Sequence, residues 1–206
     1  YQPYLPGEFR EAGRPTRNTP LYGIFKDQGA IYGDTFGWER AKWFAPQGVA
    51  EQYGFRRSNW FATVGEECRA VREKVGLMDL SSFAKYEITG PHAKALLDRL
   101  CANQIPETNG KIILTQMLTH LGGIECEATV ARLNAEHYYV LSGAVAELHD
   151  FDWLVQHIEP GEETDVANVT DDIGVLVLTG PNARDVLSQL TQDGLTNQDG
   201  FTWMTI

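Results

Sequence analysis

Hydrophobic and polar positions repeat with the same spacing in two segments of the chain. The segment EITGPHAKALLDRL begins at Glu87, and VLTGPNARDVLSQL begins at Val177, ninety positions later. Their apolar residues follow the i, i+3, i+4, i+7 spacing of one buried helix face; they are Ala93, Leu96, Leu97 and Leu100 in the first copy and Ala183, Val186, Leu187 and Leu190 in the second. Each copy follows a strand-like run, and Pro91 and Pro181 suit the first turn of a helix. The pattern predicts two repeated strand-turn-helix units.

The Thr-Gly-Pro turns allow a second interpretation, a glycine-rich loop that binds an anion at a helix N-terminus. One glycine per turn is too few for a phosphate cradle, and neither G-x-G-x-x-G nor G-x-x-x-x-G-K-[ST] occurs in the chain. We therefore favour an architectural repeat, two similar half-folds with a seam where a ligand can sit.

The remaining periodicity predicts an α+β fold with antiparallel hairpins and crossover helices. Three strands are expected at Ile112–Leu118, Glu125–Arg132 and His137–Leu141, with turns at Gly122-Gly123 and Asn134-Ala135. One helix is expected between Thr63, as its capping residue, and Gly76, and another within AVAELHDFDWLVQHI.

Composition places this fold in an ordinary globular protein. The chain has 206 residues and a formal net charge of −11, which argues against a nucleic acid or an anionic membrane surface as the main partner. No run of eighteen apolar residues and no signal-peptide core occur. Cys68, Cys101 and Cys126 lack CxxC spacing and suggest reduced thiols in an intracellular protein, and the scattered histidines predict no metal site.

The amino-terminal part of the chain differs in character from the rest. Residues 1–17 contain three prolines with glycines and charges, which predicts an extended arm or linker. The segment that follows is rich in aromatic residues, including Trp38, Trp43 and Trp60. We expect these rings to pack in a core or between domains rather than to stack on a cofactor.

Two carboxylates lie within one predicted strand, LGGIECEATV. Alternation puts Glu125, Glu127 and Thr129 on one face and Cys126 with its apolar neighbours on the other. Glutamate is disfavoured in the middle of a strand. Either this face is solvated, or one glutamate points into a pocket as a proton acceptor or an anchor for a basic ligand.

At this point several long motifs resemble a known family. The segments GLMDLSSFAKYEITGPHAKALLDRL, MLTHLGGIECEATVARL and LSGAVAELHDFDWL are similar to the folate-binding domain of glycine-cleavage T-proteins, the aminomethyltransferases. FGWERAKWF and RRSNWFATVGEECRAVREKVGL are more similar to the folate region of dimethylglycine and sarcosine dehydrogenases. The resemblance implies an aminomethyltransferase fold over residues 18–206, truncated at the C-terminus.

The resemblance also implies the site residues. Glu127 occupies the position of the family's acid, beside the pterin and linker nitrogens of tetrahydrofolate, and is the expected catalytic residue. The other family folate-contact positions are Phe83, Leu114, Tyr139 and Leu141. Glu127 is expected to point into a central cavity near Phe83, Tyr139 and Leu141, with Glu125 toward the rim. Gly143 replaces a family asparagine, so that folate contact is absent or replaced.

The activity implied by the resemblance is one-carbon transfer. In the dehydrogenases a flavin domain oxidises an N-methyl amine, and tetrahydrofolate captures the one-carbon unit as methylene-tetrahydrofolate. A later Tyr-x-Gly-Glu-type motif and any dinucleotide fingerprint do not occur in this sequence. We therefore expect a piece of a larger enzyme, which binds folate, has FAD only in a missing amino-terminal domain, and has that domain as its partner.

Other functions and the cellular compartment follow from the same resemblance. The rival functions are a free-standing aminomethyltransferase and a non-catalytic folate-binding module. The expected compartment is the cytoplasm, or the mitochondrial matrix in a eukaryote.

Overall fold

The computed structural model describes residues 11–191 and 202–206, which divide into two units. Unit 1 contains the chain up to Ser82 together with Gly174–Leu187, and unit 2 contains Phe83–Ile173 and Ser188–Ile206. The chain therefore leaves unit 1 after Ser82 and returns to it for the second Thr-Gly-Pro segment.

Unit 1 is built on two antiparallel strand pairs. In chain order its elements are α1 (Tyr22–Asp27), β1 (Ala30–Thr35), β2 (Trp38–Phe44), α2 (Phe61–Glu73), β3 (Gly76–Asp79), β9 (Leu176–Thr179) and α5 (Ala183–Leu187). β1 pairs with β2 through a tight turn in which Phe36 and Gly37 both have positive φ, as a two-residue hairpin requires. β3 pairs with β9. Trp38 and Trp43 of β2 are buried, as their predicted packing role requires.

The helix predicted to begin at Thr63 begins two residues earlier. α2 starts at Phe61, because the Phe61 amide bonds to the Ser58 carbonyl and the Val64 amide bonds to the Trp60 carbonyl. Trp60 stands at the N-cap without a side-chain hydrogen bond, so the predicted cap at Thr63 is wrong. Gly76 follows the helix as the first residue of β3, where it pairs with Thr179.

The described part of the predicted arm is attached to β2. Arg14 and Thr16 both bond to the carboxylate of Glu39, whose side chain is buried, and the hydrogen bonds from Arg14 hold the Glu39 pKa below its usual range. Arg17 bridges to Trp38, and its guanidinium lies 4.1 Å from the centre of that ring. The predicted arm residues 1–10 lie outside the described residues, and the boundary at residue 17 remains a prediction.

Unit 2 contains one five-stranded antiparallel sheet. Its elements are β4 (Ala84–Thr89), α3 (Ala93–Leu100), β5 (Ile112–Leu118), β6 (Ile124–Asn134), β7 (His137–Ser142), α4 (Glu147–Gln156) and β8 (Asp165–Asn168). The strand order is β5-β6-β7-β4-β8, and every neighbouring pair is antiparallel. The three predicted strands and the α+β class are confirmed.

One face of this sheet carries the core of unit 2. The buried strand residues include Tyr86, Cys126, Ala128, Val130, Tyr138 and Val140, and they pack against α3 and Leu154 of α4. The four apolar positions predicted for α3 are all buried there. Alternation along each strand therefore turns the intervening residues to the opposite face.

Both copies of the repeated segment fold as strand, turn and helix. Gly90 and Gly180 have the same φ of 115°, and each lies so close to a backbone carbonyl that a Cβ would approach its oxygen to 2.3 Å at Gly90 and 2.6 Å at Gly180. Pro91 and Pro181 lie in the turn before the helix rather than inside its first turn. The copies differ in burial, since α5 has five residues, none of them buried.

Among the described residues, no helix combines the length and the apolar character needed to cross a membrane.

Candidate functional site

Four of the five predicted folate-contact residues share one face of the unit 2 sheet. Leu114, Thr129 and Leu141 lie side by side across β5, β6 and β7. Glu127 and Tyr139 each stand two residues before one of these positions on the same strands, so they share their face. We call Leu114, Glu127, Thr129, Tyr139 and Leu141 the site face; it is opposite the face that packs on α3 and α4.

Phe83, the fifth predicted contact, lies just before β4. Its ring is half-buried, and its carbonyl accepts a hydrogen bond of 3.0 Å from the Lys85 ammonium. Lys85 pairs with Leu141 of the site face. The structure therefore links Phe83 to the edge of the site face through its backbone.

Glu127 is exposed, and this corrects the expectation that its neighbours wall it off. Gln116, directly opposite on β5, donates a hydrogen bond of 3.1 Å to its Oε2. Its Oε1 has no hydrogen-bond partner within the described part of the chain. Phe83, Tyr139 and Leu141 do not enclose the carboxylate in unit 2, and its acid role remains a prediction.

Glu125, expected at the rim, is the less exposed of the two carboxylates. The pairing of β5 with β6 shifts between Met117 and Leu118, and Glu125 is the extra residue of that irregularity. Such bulges re-aim side chains. Its carboxylate accordingly bonds to His149 of α4 at 2.8 Å, whereas that of Glu127 bonds across the sheet.

Tyr139 contributes a phenol to the site face. The hydroxyl oxygen is buried and makes no hydrogen bond to any described residue. Burial, followed by the negative charge of Glu87 opposite on β4, raises the pKa of Tyr139 to about 12. The phenol is therefore neutral at physiological pH and keeps a proton that it can donate.

Two residues near the site were not singled out from the sequence. Lys85 is fully buried in the middle of the sheet, and the alternation of FAKYEITG places it on the same face as Leu141. Gln116 orients Glu127. In the sequence, Lys85 is recognisable as a charged residue within a strand-like run. Gln116 is recognisable only from its position opposite Glu127, which requires the paired structure.

His149 bridges two carboxylates at the N-terminal end of α4. Its Nδ1 lies 2.9 Å from Oδ1 of the buried Asp150, and its Nε2 lies 2.8 Å from Oε1 of Glu125. The bond to Asp150, and then the bond to Glu125, raise the pKa of His149 against the opposing effect of burial. The contact connects α4 to the strand that carries Glu127.

The site face has the composition of a surface that supports a flat, partly polar ring. Leu114 is 51% exposed and Leu141 is half-buried, so they offer apolar contact. Glu127 offers an acceptor and Tyr139 a donor. A pterin, which is apolar on its faces and polar on its edge, fits this combination, and the unpartnered Tyr139 hydroxyl is the clearest sign of that fit. No cluster of three or more metal-ligating side chains occurs in the described ranges.

Comparison with known proteins supports the predicted relationship to the glycine-cleavage T-protein family and to dimethylglycine dehydrogenase. The family model described as the GCVT N-terminal domain matches residues 21–206. Mitochondrial dimethylglycine dehydrogenase of Rattus norvegicus is 40% identical over 196 residues, which cover 93% of this chain and 23% of the relative. The mitochondrial pyruvate dehydrogenase phosphatase regulatory subunit of Mus musculus is 33% identical over 193 residues, covering 90% and 22%. The chain thus spans less than a quarter of the length of either relative.

A solved structure confirms the predicted fold. The crystal structure of glycine cleavage system aminomethyltransferase T from Bartonella henselae matches with a TM-score of 0.73 at 21% identity, over 93% of this chain and 47% of that chain. The predicted resemblance to the T-protein family and to dimethylglycine dehydrogenase is therefore confirmed, and the chain belongs to the GCVT N-terminal domain family.

Proposed function

We propose that this chain is the tetrahydrofolate-binding part of a larger enzyme that oxidises an N-methyl amine and transfers its one-carbon unit to tetrahydrofolate. The observation that carries the proposal is the exposed Glu127 carboxylate, which lies on a partly apolar sheet face and has one oxygen that no described residue bonds. It occurs in a chain that is 40% identical to a dimethylglycine dehydrogenase.

Four residues of the site face, all except Thr129, bind or orient tetrahydrofolate. Leu114 and Leu141 support the flat ring, with Phe83 at the border. The Tyr139 hydroxyl donates a hydrogen bond to the polar edge of the ring. Tetrahydrofolate supplies the nucleophilic nitrogen that accepts the one-carbon unit. Glu127, oriented by Gln116, accepts or holds the proton of that nitrogen.

The remaining parts of the reaction belong to other segments of the larger protein. FAD and the amine substrate bind in a flavin domain, which is the partner of residues 18–206. The rat relative is a mitochondrial protein, which favours the mitochondrial matrix if the chain is eukaryotic. A bacterial source favours the cytoplasm.

Titration of tetrahydrofolate into the chain tests the proposal at the residue that carries it. Glu127→Gln keeps the shape of the side chain and removes its charge. We expect it to weaken binding by about 1.5–3 kcal/mol, the cost of losing a charge-assisted hydrogen bond. Glu125→Gln is the matched control, because its carboxylate bonds to His149, and it should change the affinity little. Equal losses of tetrahydrofolate affinity in both variants would show that Glu127 does not bind the ligand.

A second candidate function is a non-catalytic folate-binding module. It is favoured by the similarity to a protein named as a regulatory subunit. The full-length protein separates the two, because an enzyme converts an N-methyl amine to methylene-tetrahydrofolate and a module does not. In the enzyme, Glu127→Gln should leave amine oxidation intact and lower the methylene-tetrahydrofolate yield, with more formaldehyde released. A free-standing aminomethyltransferase would transfer the unit without any flavin.

A further inference from the structure

Thr129 occupies the centre of the site face. The register of the sheet puts Leu114 of β5 on one side of it and Leu141 of β7 on the other. Neighbouring strands lie about 4.8 Å apart, so the backbone positions of the two leucines are separated by about 10 Å. A flat two-ring system that contacts both leucines therefore crosses directly over Thr129.

The hydroxyl of Thr129 is available to a ligand. Thr129 is half-buried, and its hydroxyl makes no hydrogen bond to any residue that the structure describes. The oxygen is accessible from the surface, unlike the buried hydroxyl of Tyr139. Threonine is common in strands because its branched side chain suits a pleated surface, so its presence alone indicates no function. Thr129 is distinguished by its central position and its accessible, unbonded hydroxyl.

Thr129 is also the nearest residue of the site face to the proposed acid on β6. Glu127 precedes it by two residues, and the pairing with β5 is regular between them, so the two side chains share a face about 7 Å apart. Gln116 holds the Glu127 carboxylate from the neighbouring strand. A ring over Thr129 therefore has one edge toward Glu127, and the Thr129 hydroxyl lies beneath the ring.

A hydroxyl beneath a ring can bond only to a group that points out of the ring plane. In tetrahydrofolate, N5 carries a hydrogen and is bonded to a saturated carbon, so it is pyramidal, and its hydrogen and lone pair leave the plane. In folic acid the same ring is aromatic, and the lone pair of this nitrogen lies in the plane. A hydroxyl both donates and accepts, so it can bond to N5 of the reduced ring but has no such partner on the aromatic ring.

We propose that Thr129 is a specificity-determining residue that favours the reduced ring of tetrahydrofolate over the oxidised ring of folic acid. The inference rests on the proposed tetrahydrofolate site and adds a residue to it. Leu114 and Leu141 support the ring, and the Thr129 hydroxyl bonds to N5 from below. This bond keeps the nitrogen-bearing edge of the reduced ring toward Glu127.

Titration of two ligands into the chain tests the proposal. Tetrahydrofolate and folic acid carry the same side chain and differ in the oxidation state of the ring, and the binding of each is measured by calorimetry in the absence of oxygen. The wild-type chain should bind tetrahydrofolate more tightly. Thr129→Val keeps the shape of the side chain and removes the hydroxyl. It should weaken tetrahydrofolate binding by about fivefold, the effect of one neutral hydrogen bond, and change folic acid binding by less than about twofold.

Two further variants separate the hydroxyl from the integrity of the sheet. Thr129→Ser keeps the hydroxyl and should retain the preference for tetrahydrofolate, although it lacks the methyl group. Thr89→Val is the matched control, because Thr89 is a half-buried threonine on the same face of the sheet, at the end of β4 and two strands away from β6. It should leave both affinities unchanged.

The role of Thr129 is overturned by any of three results. The first is a wild-type chain that binds both ligands equally. The second is a Thr129→Val variant that keeps the preference for tetrahydrofolate or loses affinity for both ligands to the same extent. The third is a Thr129→Ser variant that loses the preference, which would assign it to packing rather than to the hydroxyl. These results leave the proposed function standing, whereas a wild-type chain that does not bind tetrahydrofolate contradicts the proposed function and this inference together.

Discussion

Two glutamates that are neighbours on one strand have different surroundings. Alternation alone puts Glu125 and Glu127 on the same face, and in a regular strand they would repel each other. The irregular pairing opposite Met117 and Leu118 separates them instead. Glu125 bonds to His149, whereas Glu127 bonds to Gln116 across the sheet. At this scale the chemistry of the site depends on one extra residue in the strand.

A single backbone position in the repeated turn has a strong requirement for glycine. Gly90 has a φ of 115°, and a Cβ there would meet the Glu163 carbonyl oxygen at 2.3 Å. We expect Gly90→Ala to lower the free energy of unfolding by about 3 kcal/mol, because it combines backbone strain with a backbone clash. Urea-induced unfolding followed by circular dichroism measures the loss.

The control for this substitution is Gly122→Ala in the same unit. Gly122 also has a positive φ, 79°, but a Cβ there meets nothing within 4 Å. Only the backbone strain remains, and the expected loss in the free energy of unfolding is about 1 kcal/mol. Equal losses at the two positions would show that the close approach to Glu163 does not constrain the turn.

At the scale of elements, α4 is connected to β6 by a charged contact next to the site. The His149 ring lies between Asp150 at the start of α4 and Glu125 on the bulged part of β6. Glu125 is two residues from Glu127, so this contact supports the strand that carries the proposed acid. Its strength depends on the protonation of His149.

The stability that this contact contributes should depend on pH. The His149 pKa is raised, chiefly by Asp150, above its unfolded value of about 6.5. Its contribution is therefore fully present below that value and is lost as the pH rises through the folded-state pKa. Because the side chain is 53% exposed, screening keeps the effect to about 0.5 kcal/mol.

Urea unfolding of His149→Gln tests this dependence. The variant should lose more stability relative to wild type at about pH 5.5 than at about pH 8.5. His120→Gln is the matched control, because His120 is exposed and has no hydrogen-bond partner within the described ranges. A loss that is the same at both pH values would contradict a charged bridge.

At the scale of the whole molecule, the three cysteines divide unequally between the two units. Cys68 is exposed on α2 of unit 1, whereas Cys126 is buried in unit 2, as predicted, and Cys101 is partly buried there. Burial raises the pKa of both Cys101 and Cys126 to about 12. The reactive thiolate is therefore scarce at the two unit 2 positions.

A thiol-reactive disulfide reagent should distinguish these positions. We expect one thiol, Cys68, to react quickly in the native chain, and the other two to react only as fast as unit 2 opens. All three should react at once in strong denaturant without reductant. Cys68→Ser should remove the fast phase and leave the slow ones. Rapid reaction of all three thiols in the native chain would contradict this distribution. Detection of fewer than three reactive thiols in denaturant would contradict it as well.

The sequence by itself determined the parts of the protein that depend on local periodicity. The buried face of α3, the three strands of the β5-β6-β7 meander and the two Thr-Gly-Pro turns follow from the spacing of apolar residues and from glycine and proline, which act within a few residues. The family resemblance depends on such local motifs as well. Four of the five predicted folate-contact residues lie on one face of the sheet for the same reason, because the alternation of side chains along a strand is a local property.

Only the tertiary structure decided which of these residues are enclosed and which partners they have. The burial of Lys85, the pairing of Gln116 with Glu127 and the separation of Glu125 from Glu127 all depend on contacts between distant segments. A bulge changes the direction of a side chain without any change in the hydrophobic pattern of its own strand. The register between strands depends on the whole sheet. The sequence therefore predicted which residues share the site face, and only the fold shows that Glu127 is the more exposed carboxylate on it.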